Sequence, residues 1–461
     1  MGVFKAYDIR GIAGTELDSD FAERLGKALA THYDAGCVSV VRDIRESSPE
    51  YHEAFVRGLL SAGADVLDLG ISTTGVLYRS TVDLPVDVSV VITASHNPPE
   101  YNGFKICHGK MPVGGEELQD IRRTFESGEF RVGNGSYKSM EEYEEEYTES
   151  IIESIGSLSR DIRVVLDCGN AVPGPLAVRV LERLGVDVIP LYCDWDSTFP
   201  NHPPDPTRQE NMSDLSRAVL EHGAEFGIGM DGDGDRLGVV DENGSFIHPD
   251  RLMGIFVHDI LSGLPEDASE EQRTIFFDVK CSMALEEAIE DLGGVPRMVR
   301  TGHTFMKLEL RDHPTSSLAG EMSGHFFMND HWDGFDDAIY CAARLLGIVG
   351  MDPSPEQGGP KFSERFGFMP EYPTTDEGKI PLVGDREEVM EGVANAFSDM
   401  PVSTVDGIRA RYKDGWFLCR PSNTEPILVM RAEGRNQDAL DSILSDISSR
   451  IGHIVDIEKL K

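Results

Sequence analysis

Three stretches of the chain share one pattern of hydrophobic and polar positions. In each, a short apolar run is followed by a polar loop, an amphipathic stretch, a glycine-containing turn and a second apolar run; the first runs lie at 38–41, 163–167 and 274–278. Strands joined by helices predict mainly parallel sheets covered on both faces, because a parallel crossover needs a connection as long as a helix. The pattern therefore predicts three related α/β domains.

The C-terminal part has a different pattern. Strand-like apolar runs at 416–419 and 427–430 precede a stretch with helical periodicity at 440–451, which predicts a smaller α+β domain. The Gly- and Pro-rich stretches 351–360 and 372–375 are typical of linkers. At 461 residues the chain is also too long for one hydrophobic core. We expect domain boundaries that give the ranges 1–150, 151–250, 251–365 and 366–461.

The charge balance excludes several classes of partner. The chain has 81 acidic and 42 basic residues, a formal net charge of -39, so nucleic acid and anionic membranes would be repelled. This excess of acid, with Arg outnumbering Lys, is typical of a protein from the salt-filled cytoplasm of a halophile such as a halophilic archaeon. In molar salt the Debye length falls to about 3 Å, which screens the self-repulsion.

Cysteine usage and hydropathy add two expectations. The seven cysteines form no Cys-x-x-Cys pair, so neither a disulfide scaffold nor a zinc knuckle is indicated. The N-terminal residues lack an apolar signal core, and no apolar run approaches the roughly 18 residues of a membrane span. We expect a cytoplasmic protein without a membrane partner.

The first loop with candidate chemistry follows the strand-like run 88–92. It reads Thr93-Ala94-Ser95-His96-Asn97-Pro98 and places a small hydroxyl at a strand end, where ligands bind in open α/β sheets. Ser95 is a candidate nucleophile. The alternative is a simple turn residue, since Asn-Pro forms turns and most serines in such loops are not catalytic.

The second loop reads Asp231-Gly232-Asp233-Gly234-Asp235-Arg236 and follows the apolar run 226–230. Alternate residues of an extended loop point the same way, so three carboxylates converge and require a cation. Oxygen-only ligands suit Mg²⁺ or Ca²⁺, and few protein ligands would leave Mg²⁺ able to hold a phosphate as well. Arg236 beside the carboxylates suits a phosphate anchor, because its planar fork matches phosphate oxygens.

Two other interpretations of this loop remain open. Glu242 falls at the twelfth position of a calcium-binding EF-hand loop, but Arg236 stands at the sixth position, where that loop requires glycine, and a strand-like run follows at 237–240. A solvated acidic turn is the third possibility on so acidic a chain.

Two further loops offer polar groups. Gly320-Glu321-Met322-Ser323-Gly324-His325 can hydrogen-bond neighbouring sugar hydroxyls, and its alternative is a polar turn with a surface histidine. Arg420-Pro421-Ser422-Asn423-Thr424-Glu425-Pro426 offers a guanidinium, hydroxyls, an amide and backbone N–H groups that fit a phosphate dianion. Its alternative is a hairpin turn bracketed by prolines.

In chain order, the four loops resemble those of the α-D-phosphohexomutase family, and the loop 320–325 is most similar to its phosphomannomutase/phosphoglucomutase branch. Further matching motifs lie at 7–11, 101–105, 278–281, 301–303 and 334–337. The resemblance implies four domains around a central cleft, three related α/β mixed-sheet domains plus a smaller C-terminal α+β domain, with one loop from each domain.

The resemblance also implies a reaction. Ser95 would be carried as phosphoserine, and Mg²⁺ would be held by its phosphate with Asp231, Asp233 and Asp235. The phosphoryl group would pass to a hexose phosphate substrate to give a hexose 1,6-bisphosphate, which turns around before the other phosphate returns to Ser95. The bisphosphate is thus both intermediate and activator, and a covalent phosphoserine divides the transfer into two steps.

The same resemblance implies roles for individual residues. The non-reacting phosphate would be held by Arg420, Ser422, Asn423 and Thr424. Ring hydroxyls would be recognised by Glu321 and Ser323, and Tyr7, Lys280 and His303 match further substrate positions. Arg10, Lys105, Arg236 and His325 match positions beside the reacting groups. We favour Lys105 or His325 for proton transfer; surface solvation for Lys105 and Arg10, and loop hydrogen bonding for the two histidines, are the structural alternatives.

Two positions bear on which sugar is the substrate and leave its identity undecided. Arg300 stands where the family's pattern has Lys, which alters donor geometry, and Met322 separates the chain from phosphoglucosamine mutases, the second possibility. A Mg²⁺-dependent sugar phosphatase and an acidic calcium-binding protein are the rival functions. The sequence decides neither mannose against glucose nor monomer against homodimer.

Overall fold

A computed structural model of the protein describes residues 2–422, 426–457 and 460. Within these ranges the longer strands form four separate sheets that follow one another along the chain. Among the same residues, none of the helices combines the length and the apolar character that a membrane crossing requires.

The first sheet has the strand order β1-β5-β4-β2-β3-β7, with β6 paired to β5. Its strands are β1 (Ile9–Ile12), β2 (Cys37–Arg42), β3 (Asp65–Ile71), β4 (Val88–Ile92), β5 (Tyr101–His108), β6 (Met111–Pro112) and β7 (Tyr137–Ser139). The helices of this part are α1 (Ser19–His32), α2 (Ser48–Ser61), α3 (Thr74–Asp83) and α4 (Gly115–Ser127). Strands β2, β3 and β4 are parallel, and β5 runs antiparallel to β4 with Lys105 opposite Val91.

The second sheet has the order β12-β11-β10-β8-β9. Its strands are β8 (Arg163–Asp167), β9 (Asp187–Leu191), β10 (Phe226–Met230), β11 (Leu237–Asp241) and β12 (Phe246–Ile247), with helices α5 (Tyr143–Ile155), α6 (Gly174–Arg183) and α7 (Ser213–His222) and a 3₁₀ turn at Gln209–Met212. Strands β8, β9 and β10 are parallel, whereas β11 turns back on β10. The acidic loop 231–236 is this tight connection.

The third sheet, in the order β14-β13-β15-β16, repeats that arrangement. Its strands are β13 (Thr274–Asp278), β14 (Val295–Val299), β15 (Leu318–Gly320) and β16 (Phe326–Met328), with helices α8 (Pro249–Gly263), α9 (Met283–Asp291), α10 (His303–Asp312) and α11 (Ala338–Gly350). Strand β13 is parallel to β14 and β15, and β16 turns back antiparallel on β15. The loop 320–325 occupies the place that 231–236 has in the second sheet.

The fourth sheet is antiparallel, in the order β17-β21-β20-β19-β18. Its strands are β17 (Gly378–Pro381), β18 (Val402–Ser403), β19 (Ile408–Tyr412), β20 (Gly415–Pro421) and β21 (Ile427–Gly434), with helices α12 (Arg386–Ala396) and α13 (Gln437–Ile451). Short 3₁₀ turns at Pro355–Gln357 and Ser363–Phe366 lie between α11 and β17. The predicted fold class, three mixed-sheet α/β domains and an α+β domain, is confirmed.

The hydrophobic cores show how the four parts are joined. One continuous cluster runs from α3 of the first part through the second and third sheets, whereas the fourth sheet packs on α12 and α13 in a cluster of its own. Val279, Met283, Trp416 and Leu418 form a small separate cluster between the third sheet and the fourth. The first three parts therefore share buried apolar surface extensively, and the fourth is attached through a smaller apolar contact.

Candidate active site

Ser95 lies directly beyond the carboxyl end of β4 and is buried, with 3% of its surface exposed. Its Oγ donates a hydrogen bond of 2.8 Å to Asp231 Oδ2, which joins the first part of the chain to the second. The backbone φ of Ser95 is +52°, a left-handed conformation that costs a non-glycine residue of order 1–3 kcal/mol. Such strain persists only where neighbours impose it.

Arg45 is the neighbour that holds the Ser95 backbone in this strained conformation, and the sequence did not indicate a role for this residue. Its guanidinium is fully buried, is ion-paired with Asp43 at 3.1 Å, and donates to the carbonyl oxygens of Ser95 at 2.8 Å and Asn97 at 2.7 Å. It also donates to the Pro98 carbonyl at 2.6 Å. The one feature of the sequence that could have indicated a role for Arg45 is its position just beyond the carboxyl end of β2, a strand that is hydrogen-bonded to β4.

The carboxylates of Asp231, Asp233 and Asp235 converge as predicted. All three side chains are buried, and one oxygen from each lies within 4.8 Å of the others. Burial, followed by the charges of Asp235 and Asp233, holds the pKa of Asp231 well above its usual range. The Oδ1 atoms of Asp233 and Asp235 are buried without a hydrogen-bond partner among the described residues. Orphaned carboxylate oxygens of this kind suit a hard divalent cation.

The glycines of this loop allow it to approach Ser95. A Cβ on Gly232 would lie 2.1 Å from the Ser95 carbonyl oxygen, and Gly234 has a φ of +76°. Thr74, the first residue of α3, donates from Oγ1 to Asp233 Oδ2 at 2.7 Å. Strand β11 follows at once, so the loop is a tight turn. Glu242 accepts hydrogen bonds from Ser363 instead of facing the loop carboxylates, which removes the EF-hand interpretation.

Lys105 reaches the acidic loop from β5. Its Nζ donates to Asp233 Oδ2 and Asp235 Oδ2, each at 2.6 Å, and the side chain is 9% exposed. Burial alone lowers the pKa of Lys105, but the charges of Asp233 and Asp235 outweigh it and raise the pKa above its ordinary value. Lys105 therefore holds its proton in this state, which favours a proton donor or fixed positive charge over a base.

Arg236 and His325 join the second part of the chain to the third. Arg236 Nε donates to His325 Nε2 at 3.1 Å, which assigns the neutral tautomer with the proton on Nδ1. That Nδ1 lies 2.9 Å from Asp336 Oδ2. The ring of His303 stacks on His325 with centroids 5.7 Å apart, and burial lowers the pKa of His303 well below its ordinary value.

The loop 320–325 is held by its own polar groups. Glu321 Oε1 accepts from Gly302 N, its Oε2 accepts from Ser323 Oγ at 2.9 Å, and its carbonyl accepts from Gly324 N at 3.0 Å. Glu321 is 2% exposed, and burial raises its pKa. The loop is thus preorganised, with its carboxylate facing two donors that a sugar hydroxyl could replace.

Two N-terminal residues of the candidate set flank the same region. The Tyr7 ring meets Phe305 edge-on at 5.4 Å, and burial raises the Tyr7 pKa. Arg10 pairs with Asp8 at 2.6 Å and also donates to Asn97 Oδ1, beside the Ser95 loop.

Two cations predicted to bind substrate, Lys280 and Arg420, are already paired with acids. Lys280 Nζ lies 3.4 Å from Glu377 Oε2. Arg420 Nε donates to Asp406 Oδ2 at 2.6 Å, and the same oxygen accepts from Thr301 N at 3.1 Å, so Asp406 links the fourth part to the third.

The last predicted loop is only partly described. Ser422 N donates to the Ile427 carbonyl at 2.9 Å. Asn423 and Thr424 lie outside the described residues. Asp406 and Glu377 carry no local motif that would mark them in the sequence, whereas Asp336 lies in the matched motif 334–337.

The fold and the site define a phosphoryl-transfer enzyme, since a buried serine, a cation-ready carboxylate loop and several cations meet where the sheets face one another. Family models agree. Those described as phosphoglucomutase/phosphomannomutase, alpha/beta/alpha domains I, II and III, match residues 1–132, 141–244 and 248–372, and the C-terminal domain model matches 377–449. The chain therefore belongs to the phosphoglucomutase/phosphomannomutase family.

Similar proteins cover nearly the whole chain. A phosphomannomutase/phosphoglucomutase of Pseudomonas aeruginosa is 39% identical over 447 residues, 96% of this chain and 93% of that protein. A phosphoglucomutase of Neisseria meningitidis is 38% identical over 462 residues, 97% of this chain and 96% of that protein. The crystal structure of a phosphoglucomutase/phosphomannomutase family protein from Burkholderia thailandensis has a TM-score of 0.90 at 37% identity, covering 98% and 97% of the two chains.

Proposed function

We propose that the protein is a phosphohexomutase that interconverts hexose 1-phosphate and hexose 6-phosphate, with mannose, glucose or both as the sugar. The observation that carries the proposal is the hydrogen bond from Ser95 Oγ to Asp231 Oδ2, which sets a strained serine on the edge of a buried carboxylate loop. The family and the names of the relatives support the same reaction.

Mg²⁺ is the proposed metal. Asp231, Asp233 and Asp235 would hold it together with the phosphate on Ser95, because their unpartnered oxygens form an all-oxygen donor set with few protein ligands. When bound, the ion neutralises charge on the transferring phosphoryl group.

The chain's own groups suffice to balance each transfer. The bond between phosphorus and Ser95 Oγ breaks, and a bond between phosphorus and the free sugar hydroxyl oxygen forms. The hydroxyl proton passes to His325 Nε2, whose lone pair accepts from Arg236 Nε in this structure and becomes available when Arg236 turns to the reacting phosphate. Lys105, which bears its proton, returns one to Ser95 Oγ. The second transfer reverses these steps with the bisphosphate in the opposite orientation.

The remaining candidates would bind substrate in both orientations. Arg420 would exchange Asp406 for the non-reacting phosphate, with help from Ser422, and Lys280 would exchange Glu377 for a group of the sugar. Glu321 and Ser323 would take ring hydroxyls, and Arg236 and Arg10 would contact the reacting phosphate. Asn423, Thr424, Tyr7 and His303 complete the proposed set. In this proposal the ranges 1–150, 151–250, 251–365 and 366–461 each supply one loop.

The cellular setting is part of the proposal. The net charge of -39 supports a salt-rich cytoplasm as the environment in which the protein works. The proposed assembly is a monomer or a homodimer, and the proposed partners are phosphosugars.

The test is conversion of mannose 1-phosphate and, separately, glucose 1-phosphate, in molar KCl with Mg²⁺ and a trace of hexose 1,6-bisphosphate. Ser95→Ala should abolish conversion, whereas Ser89→Ala, which removes another buried hydroxyl on β4, should retain it. Release of inorganic phosphate as fast as isomerisation would instead indicate a sugar phosphatase. Failure with both sugars would move the assay to glucosamine 1-phosphate.

A further inference from the structure

Lys307 is a buried cation to which the proposed reaction gives no role. It lies on α10 with 5% of its surface exposed. Its Nζ lies 2.6 Å from Asp336 Oδ1 and 3.8 Å from the centroid of the Tyr78 ring. The ring of Phe327 is 5.9 Å away, so the ammonium sits between aromatic surfaces rather than in water.

The carboxylate that Lys307 holds is shared with the two histidines of the site. Asp336 is fully buried, and its Oδ2 lies 2.9 Å from His325 Nδ1 and 3.7 Å from His303 Nδ1. Lys307 Nζ is itself 3.3 Å from His303 Nδ1. Because His325 meets Asp336 through Nδ1 and Arg236 through Nε2, the position of the carboxylate determines which way the ring faces.

A buried carboxylate needs a compensating charge. Neither neutral histidine supplies one, whereas Lys307 does so at short range. Without it, Asp336 would lose its only ion pair with a lysine or arginine among the described residues, while Asp235, whose Oδ1 lies 3.6 Å from His325 Nδ1, would keep Lys105. The imidazole would then be shared between two competing carboxylates.

Lys307 also connects the histidines to the first part of the chain. Tyr78 belongs to α3, and the first residue of that helix, Thr74, donates to Asp233 of the acidic loop. The cation on the Tyr78 ring therefore fixes α10 against the helix that orients the proposed metal site.

We propose that Lys307 is a positioning residue of the transfer reaction: it anchors Asp336, whose Oδ2 lies 2.9 Å from His325 Nδ1, and so keeps His325 Nε2 facing the reacting groups. The inference rests on the proposed mutase function and deepens it. A purely structural lysine would contribute to stability alone, so the test must separate turnover from folding.

The experiment measures kcat, KM and melting temperature for Lys307→Met, Asp336→Asn, the double variant and Lys307→Arg, in molar KCl with Mg²⁺. We expect Lys307→Met to lower kcat by about 10- to 100-fold, as for other residues that orient a functional histidine, with KM changed by less than about threefold. Lys307→Arg should restore part of kcat. In the Asp336→Asn background, Lys307→Met should have little further effect, because both act through one carboxylate.

The matched control is Arg344→Met. Arg344 is another ion-paired cation in the same part of the chain; it bridges Asp259 at 2.7 Å and Asp330 at 3.0 Å, outside the proposed machinery. It should lower the melting temperature and leave kcat unchanged.

Three outcomes would overturn the inference. These are an unchanged kcat in Lys307→Met, a change in KM without a change in kcat, or a double variant whose loss of kcat is the product of the losses in Lys307→Met and Asp336→Asn. If Lys307→Met alone does not fold, Asp336→Asn is compared with the double variant, since neither contains a lone buried carboxylate; a further loss of kcat in the double variant overturns the inference. An inactive wild type would instead overturn the proposed function and this inference with it.

Discussion

The hydroxyl of Ser95 donates to the Oδ2 atom of Asp231 across the boundary between the first and second sheets, at 2.8 Å. The hydroxyl is held at this point by a backbone with a φ of +52°. This contact constrains the backbone of Ser95 and requires a glycine at position 232, which faces it. Each constraint can be tested by substitution.

Replacing Ser95 by Gly or by Ala should give two inactive proteins of different stability. Both lose the hydroxyl, but only glycine tolerates the left-handed backbone without steric cost, so Ser95→Gly should be more stable by about 1 kcal/mol. Melting temperatures of the two variants provide the measurement. Equal stability would mean that the backbone relaxes when the hydroxyl is removed.

Gly232→Ala should abolish activity although it removes no functional group. The new Cβ would lie 2.1 Å from the Ser95 carbonyl oxygen, so the acidic loop or the serine loop must move. A displacement of this size at the reacting groups should cost at least about 100-fold in kcat. Gly263→Ala is the matched control, since no atom of the described residues lies within 4 Å of its Cβ position, and it should behave like the wild type.

Asp231→Asn should stabilise the metal-free protein while weakening Mg²⁺ binding. Three buried carboxylates repel one another, and the pKa of Asp231 is raised by burial and by its acidic neighbours. Removing one charge should raise the melting temperature in EDTA by roughly 2–4 °C, which corresponds to about 1 kcal/mol. The further rise that Mg²⁺ produces in the wild type should shrink. A lower melting temperature in EDTA would contradict this account.

Asp337 should make stability depend on pH with a defined sign. Burial raises the pKa of this carboxyl from 3.8 to about 6, against the lowering effect of hydrogen bonds from Tyr340 N and the Tyr147 hydroxyl. The pKa of Asp337 is higher in the folded protein than in the unfolded chain. Its protonated form therefore contributes fully to stability below about pH 4, and this contribution is lost as the pH rises to about 6. Above pH 6 the buried, charged carboxylate lowers the free energy of unfolding by about 3 kcal/mol.

Asp337→Asn should therefore gain melting temperature relative to wild type between pH 4 and 6, with a constant difference above pH 6. Asp385→Asn is the control, because Asp385 also caps a helix, α12, but is exposed. A difference between Asp337→Asn and wild type that does not change with pH would contradict the prediction.

Salt should stabilise this protein more than a neutral one. With a net charge of -39, self-repulsion weakens as the Debye length falls to about 3 Å in molar salt, so the melting temperature should rise from dilute buffer to molar KCl. Sucrose of matched osmolality controls for nonionic effects. Equal melting temperatures in dilute buffer and molar KCl would reject the proposal of a salt-rich cytoplasm.

The apolar runs predicted much of the fold. The runs 88–92, 163–167, 226–230 and 274–278 coincide with β4, β8, β10 and β13, because strands buried on both faces are mostly apolar. The antiparallel strand β5 was not predicted: Tyr101 to His108 mixes polar, glycine and apolar residues, and Lys105, within the strand, reaches the site.

The site was predictable to the extent that its chemistry is concentrated in loops. Asp231, Asp233 and Asp235 alternate along one segment, so their convergence follows from local geometry. Arg45 could not be found in this way, because hydropathy marks an arginine as exposed and only the completed fold surrounds it with carbonyl oxygens. Asp406 likewise acquires its position through a sheet formed elsewhere in the chain.

The pairing of Arg420 with Asp406 has a consequence for how an anion enters. In this structure an acid of the protein is paired with the guanidinium, and the proposed substrate phosphate would have to displace it. Binding of the proposed phosphate would then be an ion exchange, in which one carboxylate leaves as one phosphate enters, and the number of uncompensated charges would change little. Concentrated salt should weaken such an exchange less than it weakens phosphate binding to an unpaired cation. Acidic residues that repel one another could therefore also preserve selective phosphate binding at high salt concentration.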